Sequence, residues 1–226
     1  MADIKILIVD DEEDILDLLE YNLEKEGYEV IRAMDGEEAI ELAKKENPQL
    51  ILLDIMMPKL DGIETCRRIR EFPEMQNVYI VFLTARSEEY SELAGFDAGA
   101  DDYISKPIKP RVLMSRLKAI MRREHNVEDN STIKIHDLEI IKDEYLVRKG
   151  TKQLSLPRKE FELLHFLASK PGKVFKREEL LENIWGDVYV VDRTIDVHIR
   201  KLREKIGESY IVTIKGVGYK FLSNNY

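Results

Sequence analysis

Short apolar runs alternate with amphipathic stretches along the first half of the chain. Ile4 to Val9 reads as a strand, and Asp14 to Lys25 as a helix with Ile15, Leu18, Leu19 and Leu23 on one face. Tyr28 to Ala33 is the next predicted strand and Gly36 to Glu46 the next helix. Leu50 to Leu53 is uniformly apolar, as expected of a strand buried on both faces inside a parallel sheet, and a helix over Gly62 to Glu71 follows. Val78 to Leu83 is the fourth strand, with a helix from about Ser87 to Ala98 after it. Tyr103 and Ile104 form a short fifth strand. The last helix runs from Pro110 to Arg123, with Val112, Leu113, Leu117, Ile120 and Met121 as its apolar stripe. Repeated strand–helix alternation predicts an α/β unit: five parallel strands with helices on both faces.

The pattern changes after that helix. Arg122 to Thr132, RREHNVEDNST, has no apolar period and reads as a linker, so the expected division is 1–123, a linker at 124–132, and a second domain at 133–226. Short strands at Ile133 to Ile135, Leu138 to Ile141 and Tyr145 to Arg148 precede three helices. Pro157 opens the first helix, whose Phe161, Leu164 and Leu167 face inward. The second covers Lys176 to Trp185 and ends at Gly186. The third runs from an Asp192 N-cap to Ile206 and stops at Gly207. Tyr210 to Lys215 and Tyr219 to Leu222 then form a hairpin around Gly216-Val217-Gly218. Helix–turn–helix followed by a hairpin is the layout of an α+β winged helix.

Charge separates the same two halves. The whole chain has a net charge of −9, which by itself argues against nucleic acid. Residues 1–124, however, hold 17 Lys and Arg against 28 Asp and Glu, whereas residues 125–226 hold 18 against 16. An acidic module joined to a mildly basic one implies two domains with different partners. A single cysteine, Cys66, excludes an internal disulfide and suits a reducing cytoplasm. The longest apolar run, Val78 to Leu83, is far short of the ~18 residues that span a bilayer. The beginning, MADIKILIVDD, lacks the features of a signal peptide, so a cytoplasmic protein without membrane association is expected.

In a parallel α/β sheet the C-terminal strand ends share one crevice where ligands bind. Those ends carry Asp10 and Asp11 after strand one, Asp54 after strand three, Thr84 after strand four, and Lys106-Pro107 after strand five. Three converging carboxylates repel one another unless a hard divalent cation joins them. Mg²⁺ suits the set, since it takes oxygen ligands and bridges carboxylate to phosphate. Lys106 supplies a point charge for a phosphate oxygen. This order of residues resembles the flavodoxin-like receiver domain of two-component response regulators. The resemblance implies that Asp54 accepts a phosphoryl group from a sensor histidine kinase. It implies Asp11 as a direct metal ligand, Asp10 acting mostly through water, and the Met56 carbonyl completing the site. Thr84 would bind the phosphoryl group and Lys106 would pair with it, next to a cis Lys106-Pro107 bond. Tyr103 would change rotamer with Thr84, remodelling the face of helix four, strand five and helix five, through which a homodimer forms.

In the third helix of the second half, Ile195, Ile199, Leu202 and Ile206 recur at helical spacing. At ~100° per residue, Arg193, Val197, Arg200, Lys201 and Glu204 point the other way, with Thr194 beside them. The segments DRTIDVHIRKLREKIG and TIKGVGYKF resemble the effector domain of OmpR/PhoB-type transcription regulators. The resemblance implies contacts to double-stranded DNA from Arg193, Thr194, Val197, Arg200, Lys201 and Arg203, with His198 on backbone or phosphate and Lys215 in the wing. It also implies that Gly186 to Asp192 faces RNA polymerase, and that a phosphorylated dimer sits on tandem DNA repeats. No dedicated enzymatic output is expected. Four positions depart from the pattern: Lys215 where Arg is common, Ile108 where Phe is, and Glu92 and Val112 where a basic–acidic pair is usual. Asp97, Asp101 and Asp102 would still face Arg111, Arg116, Arg122 and Arg123 across the dimer. Two alternatives remain. A dehalogenase-like phosphatase would need an acid at the position of Met56, and a constitutive regulator would keep the fold without using phosphate.

Overall fold

The computed structural model describes residues 4–85, 95–125, 132–186 and 193–222, and the chain divides into two compact units, 1–126 and 127–226. In the first unit, β1 (Lys5–Val9), β2 (Glu29–Ala33), β3 (Leu50–Asp54), β4 (Tyr79–Ala85) and β5 (Asp102–Lys106) form one parallel sheet in the order β2-β1-β3-β4-β5. Its helices are α1 (Glu13–Lys25), α2 (Gly36–Glu46), α3 (Gly62–Arg70), the helical residues 95–98 of α4, and α5 (Pro110–His125). Every residue of β3 is buried, as its unbroken apolar run requires. The α2 start is fixed by Asp35, which accepts from the Glu38 N–H at 3.0 Å, and the α3 start by Asp61, which accepts from Glu64 at 2.8 Å. Strand order reverses direction between β1 and β3, so the sheet opens its ligand crevice there.

Several predicted boundaries and faces shift. β4 and β5 extend to Ala85 and Lys106, so Thr84 and Lys106 are strand residues rather than loop residues. In α1 the inward face is Leu16, Leu19 and Leu23, while Leu18 turns outward at 39% exposure. In α5, Val112 lies outside at 45% exposure, and Met114 joins Leu113, Leu117 and Ile120 in the core. The helix continues to His125, so residues 122–125 belong to it and not to a linker. Most of the predicted fourth helix, including Glu92, lies outside the described residues, as do residues 126–131 and the side chains of Met121, Arg122 and Arg123.

The expected charge row across a dimer is also corrected. Asp101 and Asp102 are fully buried. Asp101 accepts from Arg70 at 2.7 Å and from the Ile80 N–H at 2.8 Å. Arg70, the last residue of α3, donates as well to the carbonyls of Gly99 (2.9 Å), Met75 (2.7 Å) and Val78 (2.7 Å). Both acids therefore belong to the interior: the Arg70 guanidinium meets Asp101 and the neighbouring carbonyls, and the Tyr103 N–H donates to Asp102 at 2.7 Å.

The second unit begins with an antiparallel sheet of β6 (Thr132–Ile135), β7 (Leu138–Ile141), β8 (Leu146–Lys149) and β9 (Lys152–Leu154). Then come α6 (Arg158–Ala168), β10 (Val174–Lys176), α7 (Arg177–Ile184) and α8 (Arg193–Ile206). The hairpin of β11 (Ile211–Ile214) and β12 (Gly218–Phe221) pairs with β10 to make a second sheet. Sequence reading missed β9 and β10, each three residues long. One core joins both sheets to the helices, and Phe161, Leu164, Leu167, Ile195, Ile199, Leu202 and Ile206 all lie in it. Residues 187–192, including the Asp192 cap and the loop expected to face RNA polymerase, lie outside the described residues.

Candidate functional site

The register between β1 and β3 sets Val9 beside Leu53, so Asp10 emerges next to Asp54. Asp54 is 3% exposed and Asp10 fully buried, whereas Asp11 is exposed. The three carboxylates each offer an oxygen, and these oxygens lie within 4.8 Å of one another. Lys106 reaches in from the end of β5, 2.7 Å from Asp54 Oδ1 and 2.9 Å from Asp10 Oδ2, with Glu12 at 3.9 Å. The Met56 N–H donates to Asp54 Oδ2 at 2.8 Å, which fixes the carboxylate plane and turns Oδ1 towards Lys106. The helix behind this loop can approach because Gly62 lacks a side chain: a Cβ there would stand 2.0 Å from the Asp54 carbonyl oxygen.

Burial pushes the Asp54 carboxyl above its ordinary value; Lys106 opposes the rise and Asp10 adds to it. Burial alone would lower the Lys106 ammonium, but Asp54 and Asp10 together raise it. The site thus holds concentrated negative charge beside one firmly protonated cation. An all-oxygen donor set of this size fits Mg²⁺, with Asp10, Asp11, Asp54 and the Met56 carbonyl as the residues that would hold it. Lys106-Pro107 is cis, as the resemblance implies.

Thr84 lies 8% exposed near the end of β4, paired in register with Ser105. Tyr103 is buried at 7% exposure, its ring 4.6 Å from Phe96 and 5.5 Å from Phe82. Its carbonyl accepts from Arg116 of α5.

In the second unit, the outward face of α8 carries exposed Arg200 and Glu204, with Val197 and Lys201 half-buried. Three expected DNA contacts are placed otherwise. Thr194 and His198 are each 1% exposed, because the buried face of α8 is wider than its isoleucine and leucine stripe. Arg203 turns to the wing, donating to the Ile211 carbonyl (2.8 and 3.1 Å) and to Thr213 Oγ1 (2.8 Å). The Arg193 side chain lies outside the described residues. Lys215 is exposed at the wing tip beside Gly216.

A brace that sequence reading missed links α7, α8 and the wing. Asp196 Oδ1 accepts from Arg177 Nε at 2.8 Å and from the Tyr219 hydroxyl at 2.6 Å. Burial, followed by Asp196, pushes the Tyr219 hydroxyl up to about 12. Three separated polar residues leave no periodic signal that would have found it.

A family model described as the response regulator receiver domain matches residues 6–118. A second, described as transcriptional regulatory protein, C terminal, matches residues 151–221. The chain is similar to a mutant of RitR at 29% identity, covering 98% of this chain and 100% of that one with a TM-score of 0.79. It is also similar to the response regulator DrrB, an OmpR/PhoB homologue from Thermotoga maritima, at 38% identity, 97% and 99% coverage and a TM-score of 0.51. A two-component response regulator from Clostridium difficile matches at 34% identity over 54% of this chain and 99% of its own, with a TM-score of 0.52.

Proposed function

The chain belongs to the response regulators that join a receiver domain to an OmpR/PhoB-type transcriptional regulatory domain, and from that premise we propose that phosphorylation of Asp54 controls its binding to DNA. The observation that carries this reading is Asp54 itself: a buried carboxylate, its Oδ1 2.7 Å from Lys106, beside two further acids.

Asp54 Oδ1 attacks the phosphorus of a phosphohistidine on a sensor histidine kinase. An O–P bond forms, the P–N bond breaks, and the histidine nitrogen leaves with the electron pair. Met56 N–H holds Oδ2 and so aims the nucleophile. Lys106 exchanges its carboxylate partner for a phosphoryl oxygen. When bound, Mg²⁺ supplies charge neutralisation at those oxygens. The Thr84 hydroxyl donates to the new acceptors, and the added charge of roughly −1.5 to −2 biases the packing around Tyr103.

The outcome is a homodimer through the α4–β5–α5 face, set on tandem DNA repeats where two linked sites gain avidity. Val197, Arg200, Lys201 and Lys215 contact DNA, with Arg193 where its position on α8 matches. The chain acts in the cytoplasm, engages RNA polymerase, and has no enzymatic output beyond accepting and slowly losing a phosphoryl group. Among the described residues no helix is long and apolar enough to cross a membrane.

With Mg²⁺ and a small phosphodonor, wild type is expected to take up label and Asp54→Asn to remain unlabelled. Equal labelling of the two proteins sinks the phosphoacceptor role. Footprints that are identical with and without phosphodonor would favour a regulator that never uses phosphate.

A further inference from the structure

We propose that the cleft between α1 and α5 is a binding site for a small organic anion, one that joins a carboxylate, sulfonate or phosphate to an apolar body. A cavity of about 1040 Å³ opens there, at the upper end of the range for small-molecule sites. Its apolar surface comes from Ile108 and Met114, each 8% exposed, and from Val112, which is 45% exposed. Around that surface stand four cations, Lys25, Lys109, Arg111 and Lys118, against a single acid, Glu26. None of these groups belongs to the phosphoryl site, so the inference goes beyond the proposed function and does not depend on it.

Helical spacing assembles the two walls. Asn22, Lys25 and the cap residue Glu26 share one face of α1, and Arg111, Met114, Ser115 and Lys118 share one face of α5. Lys118 reaches Glu26 at 2.6 Å, which ties the two helices together and neutralises both charges. Lys25, Lys109 and Arg111 are exposed and stand in no ion pair among the described residues. They are a local surplus in a unit where acids outnumber cations, 28 against 17 over residues 1–124. Cations on a helix face are ordinarily satisfied by water alone. Here they border an apolar surface that water covers poorly, and the two features together define a ligand. Its apolar body covers Ile108, Val112 and Met114, while its anionic group is shared by Lys109 and Arg111. Inorganic phosphate would leave the apolar surface wet, and a neutral hydrocarbon would leave the cations unused. The rim is also set in advance. The Lys109 carbonyl accepts from the N–H groups of Val112 at 2.9 Å and Leu113 at 3.0 Å, so its backbone is fixed at the start of α5.

The test titrates full-length protein with anilinonaphthalene sulfonate, a sulfonate on an aromatic body whose emission rises when it leaves water. Wild type should bind it saturably. Neutral phenylnaphthylamine keeps the rings without the sulfonate and should bind roughly tenfold more weakly. Lys25→Gln/Arg111→Gln should weaken the sulfonate roughly tenfold and leave the neutral compound unchanged. Ser115→Phe fills the cavity from an exposed position and should abolish binding of both. Carbon-13 labelled methionine methyl groups locate the probe independently, with signals assigned by their loss in Met114→Leu and Met75→Leu. The Met114 signal should shift with the sulfonate, while that of Met75, 1% exposed and outside the cavity, should not. An unmoved Met114 signal, equal affinity for the neutral compound, or unchanged binding in Ser115→Phe overturns the site. The Met114 shift is read on wild-type sequence, so it decides the matter even where a substituted protein fails to fold.

Discussion

Lys106 Nζ stands 2.7 Å from Asp54 Oδ1, so the proposed nucleophile and the cation meant to receive its phosphoryl group are already in contact. The same ammonium also touches Asp10 at 2.9 Å, so one charge offsets two buried acids. Lys106→Met keeps the stem and removes the charge. A charge-assisted hydrogen bond is worth about 1.5–3 kcal/mol, so labelling by a small phosphodonor should slow roughly 10- to 100-fold. Labelling at the wild-type rate would remove Lys106 from the phosphoryl site.

Metal removal should separate function from folding. Asp10 and Asp54 are buried and Asp11 is exposed at the strand ends, and the core behind them is filled by apolar side chains. Chelation should therefore abolish labelling while the far-ultraviolet circular dichroism spectrum stays unchanged. Adding Mg²⁺ should raise the receiver's melting temperature by mass action, by the equivalent of about 2.7 kcal/mol at a hundredfold excess over Kd. Asp11→Asn, at the exposed member of the set, should flatten that rise. A rise of wild-type size in Asp11→Asn would exclude this residue as a ligand.

Asp101 and Arg70 form a buried pair, and removing one partner leaves the other charge without compensation. Asp101→Ala should destabilise the receiver by about 3–5 kcal/mol, read as a shift in its urea midpoint. A loss under ~1 kcal/mol would show that the carbonyls around Arg70 suffice on their own.

That pair marks a limit of what sequence can carry. The parallel sheet was legible because Ile6 to Val9 and Leu50 to Leu53 are unbroken apolar runs, and both are fully buried. The acidic site was legible because strand-end residues in a parallel sheet must converge. Asp101 and Asp102 look like ordinary surface acids in sequence, and only Arg70, 31 residues earlier, reveals Asp101 as an interior group. The α8 wheel placed Ile195, Ile199, Leu202 and Ile206 correctly. It could not show that the Trp185 ring packs against His198, or that Thr194 is buried too. β9 and β10 were missed because three residues are too few to display a period of two.

His198 provides a pH dependence. Burial, reinforced by the ammonium groups of Lys201, Lys159 and Lys205, lowers its pKa from 6.5 to about 3. Between those values the unfolded chain binds a proton that the folded chain does not. Stability is therefore lost as pH falls through this window, by up to about 1.4 kcal/mol per unit. Trp185 is the chain's one tryptophan and its ring lies 5.1 Å from His198, so its emission reports unfolding of this unit. The urea midpoint followed by Trp185 should fall between pH 6.5 and 5, and His198→Gln should flatten the decline. An equal decline in both proteins would assign the effect to other groups.

Arg200 and Arg203 share α8 but should fail in different ways. Arg200 is exposed on the outward face, where a guanidinium can replace counterions on DNA phosphates. Arg200→Ala should weaken DNA binding and reduce the slope of log K against log salt by about 1. Arg203 donates twice to the Ile211 carbonyl and once to Thr213 Oγ1, so its charge already serves to hold β11 against the helix. Arg203→Ala leaves a partly buried carbonyl without its donor and frees the wing. The expected cost is about 1–3 kcal/mol in stability, together with weaker DNA binding at an unchanged salt slope. Lys at this position restores a single donor but not the fork, so Arg203→Lys should recover only part of the stability. Measuring both quantities for all three variants separates a residue that touches DNA from one that aims the element that does. A salt slope reduced by about 1 in Arg203→Ala would return Arg203 to the phosphate contacts.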